Sequence, residues 1–185
     1  TIIIFVLLSF YISGLAYCDK TKADPNIKVR KGFKVSVALA DLPRARFMEF
    51  SPDGVLYVSL PHAGKIVSAR DKDGDGYFES LSDFVDSHPT AHGMFFHDNW
   101  LWFTETDAIY RARDKDGDGK ADIEKTVIPK GKLPGGTGHW WRSIVIHKGK
   151  LYTSVGDSGN IHIETDTDRQ KIFTFDLSGQ NNKLF

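Results

Sequence analysis

Ala69-Arg70-Asp71-Lys72-Asp73-Gly74-Asp75-Gly76 recurs, residue for residue, as Ala112-Arg113-Asp114-Lys115-Asp116-Gly117-Asp118-Gly119, 43 positions later. A second series runs beside it. Val55-Leu56-Tyr57-Val58-Ser59 is followed by Trp100-Leu101-Trp102-Phe103-Thr104 and then by Lys150-Leu151-Tyr152-Thr153-Ser154. The steps are 45 residues from Leu56 to Leu101 and 50 from Leu101 to Leu151. A period in the forties, built from short alternating strands, is the signature of β-propeller blades.

The strand limits follow from alternation and β-propensity. Blade one reads Arg46–Phe50, Val55–Leu60, Lys65–Arg70 and Tyr77–Phe84. Blade two reads Gly93–His97, Trp100–Thr104, Ala108–Arg113 and Asp122–Ile128. Blade three reads Arg142–His147, Leu151–Val155 and Lys171–Asp176. Ser51-Pro52-Asp53-Gly54, His97-Asp98-Asn99 and His147-Lys148-Gly149 supply matching turns. Phe33–Leu39 is a candidate outer strand that closes the ring. No helical period is sustained in this region. The expected fold class is all-β, an incomplete propeller of three to four blades over residues 30–185. Propellers close with about four to eight blades, so the chain reads as the front half of a larger ring.

Composition agrees. The 185 residues carry 24 Lys plus Arg and 24 Asp plus Glu, a net charge of zero. A general binder of nucleic acid needs a basic excess, so that partner is excluded. Hydrophobic residues at 41% against 26% charged exclude a disordered chain. The single cysteine, Cys18, forms neither an internal disulfide nor a cysteine metal cage.

Ile2 to Tyr17 is an uncharged apolar run ending in Ser13-Gly14-Leu15-Ala16, with Asp19-Lys20 beyond it. This is the apolar core and cleavage region of a secretory signal, here without its basic start. It is short for a membrane span, which needs about 20 residues; a membrane anchor is the alternative. Leu15-Ala16-Tyr17-Cys18 also resembles a lipoprotein cleavage box, with Tyr17 where a small residue is expected. Residues 1–17 are therefore read as signal, 18–29 as linker and 30–185 as the catalytic domain. The expected location is secreted or periplasmic, with a lipid anchor at Cys18 as a further option.

In a propeller the first strand of each blade lines the channel, and the loops entering those strands converge on one face. Aligning Phe50, Phe96 and Ile146 puts Arg46, His92 and Arg142 at equivalent places. His139 lies three residues before Arg142, in the approach loop 134–139. Two arginines and two histidines at one mouth suit a polyanionic small ligand and a base working near neutral pH. The same positions can also be ordinary satisfied polar residues of a channel.

Gly138-His139-Trp140-Trp141-Arg142-Ser143, followed by Gly149-Lys150-Leu151-Tyr152-Thr153-Ser154-Val155-Gly156-Asp157, resembles the soluble quinoprotein sugar dehydrogenases. The likeness is to the glucose/sorbosone dehydrogenase family, in its sorbosone-dehydrogenase-like branch. Residues 43–48, Ser51-Pro52-Asp53-Gly54, His92-Gly93 and Glu164-Thr165-Asp166-Thr167-Asp168-Arg169 extend it over roughly residues 30 to 180. The resemblance implies a six-bladed propeller holding pyrroloquinoline quinone at its mouth. It implies that His139 is the general base, taking a sugar hydroxyl proton while hydride passes to the quinone. It implies that Arg142, with Arg46, His92 and Asp157, faces the cofactor or substrate, and that electrons leave to an external acceptor. One of Trp140 and Trp141 is expected to pack the blade and the other to border the sugar. Relatives often carry a Cys pair after Val-Gly; this chain has Asp157-Ser158-Gly159-Asn160-Ile161-His162-Ile163 instead. Later blades supply further cofactor contacts in the family, so the chain as it stands is not expected to be a competent enzyme.

Asp71, Asp73 and Asp75, and again Asp114, Asp116 and Asp118, match the first half of a calcium loop. Alternate carboxylates reach one side of the turn and the glycine permits the bend. Ser82 and Lys125 stand where the usual bidentate Glu would be, with Glu79 and Asp122 as substitutes. A plain solvated hairpin is the alternative. Two other functions share the architecture: a calcium-dependent lactonase, which would need inward carboxylates where this chain has Arg and His, and a non-catalytic calcium-stabilised binding propeller.

Overall fold

The structure, a computed structural model, describes residues 27–134, 136 and 138–185. The signal segment and Cys18 lie outside them. The chain divides into two units, Thr1–Val37 and Ala38–Phe185. In the first, the described residues form a turn in which the Phe33 N–H donates to the Arg30 carbonyl at 3.1 Å. Over Phe33–Leu39, where a closing strand is expected, the structure has one bridge residue, Ser36, and no longer strand. The Ala38 carbonyl accepts the Phe78 N–H at 2.8 Å, and Phe33 is 73% exposed.

The second unit is built from three four-stranded antiparallel sheets, each a meander in chain order. The first holds β1 (Met48–Phe50), β2 (Leu56–Leu60), β3 (Lys65–Arg70) and β4 (Ser80–Val85). The second holds β5 (Met94–His97), β6 (Trp100–Thr104), β7 (Ile109–Arg113) and β8 (Ile123–Ile128). The third holds β9 (Ile144–His147), β10 (Lys150–Val155), β11 (Lys171–Asp176) and β12 (Lys183–Leu184). The last of these was not read from the sequence, because two residues are too few to alternate. A single 3-10 turn, Pro61–Ala63, joins β2 to β3.

The 43-residue repeat is visible in backbone detail. The pairing skips Phe84 of β4 opposite Ile66 and Val67, and again Val127 of β8 opposite Ile109 and Tyr110, so each fourth strand carries a bulge. Such bulges sharpen the local twist. A hydroxyl recurs at the mouth end of each second strand: Ser59, Thr104 and Ser154 accept the N–H groups of Phe47, Gly93 and Ser143 at 3.1, 3.1 and 3.2 Å.

The sheets stack face to face. Every residue of β2 and β6 is buried, because each strand contributes to two interfaces. In β6, Leu101 and Phe103 join Tyr57, Ile66 and Phe84 of the first sheet, while Trp100 and Trp102 join Ile144, Leu151 and Phe173 of the third. In β2, Leu56, Val58 and Leu60 pack with Leu39 and Leu42 on the far side. The third sheet alternates instead: Leu151, Thr153 and Val155 are buried while their neighbours are not. Alternation marks a sheet covered on one face.

Register fixes two ends. Phe50 pairs with Leu56, and Arg70 with Ser80, at one end; Leu60 pairs with Lys65, and Ile66 with Val85, at the other. The acidic loops leave from the first end, and the segments before β1, β5 and β9 enter at the second.

Candidate functional site

The segments entering the first strands meet at one mouth. The N–H groups of Arg46 and His92 donate to the carbonyls of Ser59 and Thr104 at 3.1 and 2.9 Å, so the two residues are structural equivalents. His92 is buried. Its Nδ1 lies 3.1 Å from the Arg142 carbonyl, which only accepts, so Nδ1 carries the hydrogen. Burial holds the His92 pKa below its ordinary value and the Arg46 charge adds to that, so the ring is neutral at neutral pH.

The His92 ring lies 4.4 Å from Trp141 and 4.8 Å from Phe47, centroid to centroid. Trp140 stacks on Trp141 at 3.6 Å. The Arg46 guanidinium stands 4.9 Å over Trp141. The mouth thus carries an aromatic platform of stacked and tilted rings with the Arg46 cation against it.

Arg142 is placed differently. It is 1% exposed, with Nε donating to the Thr106 carbonyl and Nη2 to the Pro134 carbonyl, both at 2.9 Å. Burial lowers its pKa to about 10, with the Arg169 charge adding, so it stays charged at neutral pH. Its guanidinium clamps the turn after β6 to the start of the approach loop, and its carbonyl receives His92.

His139 is exposed at the mouth. Its backbone is pinned: the N–H donates to the Asp157 carbonyl at 2.8 Å. Two glycines make the approach close enough. A Cβ at Gly138, where φ is +75°, would fall 2.1 Å from the Ser158 carbonyl oxygen, and one at Gly156 would fall 2.6 Å from that of His139. The Gly-His-Trp and Val-Gly-Asp pieces therefore lie against each other.

The Asp157 carboxylate is engaged by two other side chains. Its Oδ2 accepts from Gln170 Nε2 at 2.6 Å, and its Oδ1 lies 3.3 Å from His162 Nε2. Sequence reasoning missed the partners His162 and Glu164, although the Asp-x4-His-x-Glu spacing was present. It also missed Phe47 as part of the mouth, and a partly buried cluster of ionisable side chains at the second sheet. There His88 lies 3.3 Å from Glu105 and 3.1 Å from Glu124, and Lys130 lies 3.3 Å from Glu105.

At the opposite end the acidic hairpins close on themselves. Asp71 accepts from the Gly74 and Gly76 N–H groups at 2.7 and 2.9 Å; Asp114 accepts from Gly117 and Gly119 at 2.7 and 2.8 Å. Glu79 and Asp122 cross each loop to the N–H groups of Lys72 and Lys115. Oxygens of Asp71, Asp73, Asp75 and Glu79 lie within 4.8 Å of one another, as do those of Asp114, Asp116 and Asp122. Asp118 is outside the second group; its Oδ1 accepts from the Lys120 N–H at 2.7 Å.

Three stacked antiparallel meanders with a convergent mouth define an all-β, partial propeller. Residues 20–183 match the family described as Domain of unknown function (DUF7133), and the chain belongs to that family. No curated protein matches it. Among solved structures, the holo PQQ domain of pyranose dehydrogenase from Coprinopsis cinerea superposes with a TM-score of 0.63 at 19% identity, over 76% of this chain and 35% of that one. A calcium structure of a carbohydrate-active enzyme of family AA12 from Trichoderma reesei gives 0.60 at 16%, over 75% and 36%. Its iodide structure gives 0.61 at 17%, over 76% and 37%. These likenesses establish the fold. The chain spans about a third of the length of the structures it matches.

Proposed function

We propose that the protein carrying this chain is a pyrroloquinoline-quinone-dependent oxidoreductase acting on an aldose or a related sugar hydroxyl or aldehyde. Residues 38–185 would supply three of its blades. The observation that carries the proposal is His139, exposed on a loop locked to Asp157 beside the Trp140–Trp141 platform. The sorbosone-dehydrogenase-like sequence motifs and the fold shared with a PQQ domain support it.

The mouth fits such a group. A planar tricarboxylate asks for an aromatic surface and a cation, and the Trp140–Trp141 stack with Arg46 against it would offer both. The quinone, when bound, supplies a two-electron acceptor for hydride. Arg46 would face a carboxylate at the rim. His92 would donate nothing outward through Nδ1, which is held by the Arg142 carbonyl, and would present Nε2. Arg142 acts from below by fixing the approach loop. A ring nitrogen of His139 would take the sugar hydroxyl proton; an imidazole suits this because its ordinary pKa is about 6.5. A tryptophan face would stack on the sugar. Calcium at the two acidic hairpins would be structural, far from the mouth. An external acceptor, further blades, a secreted or periplasmic location and lipid at Cys18 complete the proposal; the apolar run 2–17 supports the last two.

The test is His139→Ala in the full-length protein. It should still bind pyrroloquinoline quinone, while turnover with aldoses falls by about two to four orders of magnitude per folded molecule. Near-parental turnover of folded variant would remove the base from the proposal.

A further inference from the structure

We propose that Asp157, His162 and Glu164 form a divalent-metal site of the zinc-binding type. It is independent of the quinone reading. His162 Nε2 is the centre of convergence: it lies 3.3 Å from Asp157 Oδ1, 3.6 Å from Glu164 Oε2 and 2.7 Å from Ser158 Oγ. One ligand atom from each of the three proposed ligands lies within 4.8 Å of the others. Zinc holds N and O ligands at about 2.0–2.2 Å in a tetrahedron, whose edges are then about 3.3–3.6 Å. The two nitrogen-to-carboxylate separations are those edges.

The outer oxygens are tied back, as they are around metal ligands. Asp157 Oδ2 accepts from Gln170 Nε2 at 2.6 Å, and Glu164 Oε1 from the Asp166 N–H at 2.9 Å. That leaves Asp157 Oδ1 and Glu164 Oε2 turned to the imidazole. Each also accepts one backbone N–H, from Gly159 at 3.4 Å and Ser158 at 2.8 Å, and keeps a second lone pair. Gly159 makes room for the ring: a Cβ there would stand 3.1 Å from His162 Nδ1.

Apolar burial does not hold this loop. Ile161 and Ile163, on either side of His162, are 98% and 89% exposed, and residues 157–165 contain no strand. A metal cross-link between positions 157, 162 and 164 would hold it. One nitrogen and two carboxylates suit zinc-like ions better than calcium, which takes six to eight oxygens. Because the Asp157 carbonyl carries the His139 N–H, the ion would brace the approach loop from behind.

The experiment uses full-length protein stripped by chelator and then given excess Ca2+ to occupy the acidic hairpins. Titration with Co2+, followed by visible absorption, should show one tetrahedral ion per chain that Zn2+ displaces. His162→Ala should abolish that ion, and Glu164→Gln should weaken it at least tenfold. Asp71→Asn/Asp114→Asn should leave it unchanged. Limited proteolysis within residues 158–165 should slow on metal addition in the parent and not in His162→Ala. No Co2+ uptake by folded parent in excess Ca2+ would overturn the proposal, and so would equal uptake by His162→Ala.

Discussion

Thr104 shows how much one buried hydroxyl does. It is fully buried, its Oγ1 accepts the Gly93 N–H at 3.1 Å, and it lies 3.4 Å from the Arg142 carbonyl. Thr104→Val keeps the shape and orphans a buried N–H, which costs about 1–3 kcal/mol. Gly93 is the other half of this contact. A Cβ there would sit 2.2 Å from the Arg142 carbonyl oxygen, against backbone that has no side-chain freedom to move. Gly93→Ala should therefore cost at least as much as Thr104→Val, measured by urea unfolding on the same protein. Equal stability of parent and both variants would mean that this junction does not couple the second and third blades.

The hairpins carry the predictions at the scale of elements. Each acidic loop gathers carboxylates at one end of a strand pair, and the second also docks on the first sheet, where Gly119 and Asp118 carbonyls accept from Ser68 and Ser82 at 2.6 and 3.3 Å. Calcium bound only by the folded loops should raise the melting temperature by mass action. Chelator should reverse the rise, and Asp71→Asn/Asp114→Asn should abolish it. An unchanged melting temperature would leave only the turn. The β11–β12 turn responds to acid instead. Asp176 accepts from Ser178 Oγ at 2.6 Å, the Gln180 N–H at 2.9 Å and Asn181 Nδ2 at 2.7 Å. The Ser178 hydroxyl bond leads in moving its pKa from 3.8 to about 2. A depressed carboxylate contributes above its unfolded pKa and loses that contribution as pH falls through its folded one. Exchange of the Gly179 and Gln180 amides should therefore show protection that is complete above about pH 4 and fades towards pH 2. Asp176→Asn should remove that dependence.

At the scale of the molecule, stability lies between sheets. Trp102 is 1% exposed between the second and third sheets. Trp102→Ala should cost about 3–5 kcal/mol. Tyr152 points to the other face of the third sheet, where Val145, Ile172 and Phe185 line an apolar groove open to water. In the 185-residue chain Tyr152→Ala should cost less than about 1 kcal/mol. Comparable losses at the two sites would contradict the stacking described.

The blades are legible in the order of residues alone. Strand alternation, turn residues and a period of 43 to 50 residues are local signals, and they survive because each blade is one meander stabilised by its own ladder. Residue order also shows the equivalence of Arg46, His92 and Arg142, since equivalence is a matter of register. Where their side chains point was decided by tertiary structure. Arg46 reaches a tryptophan belonging to the third blade's approach loop, and Arg142 turns inward to two carbonyls from elsewhere in the chain. The pairing of Gly138-His139 with Gly156-Asp157, and the meeting of Asp157 with Gln170, likewise depend on contacts between loops. Over Phe33–Leu39 alternation likewise yields only one bridge residue, Ser36, because a strand needs a partner, and partners are chosen in three dimensions.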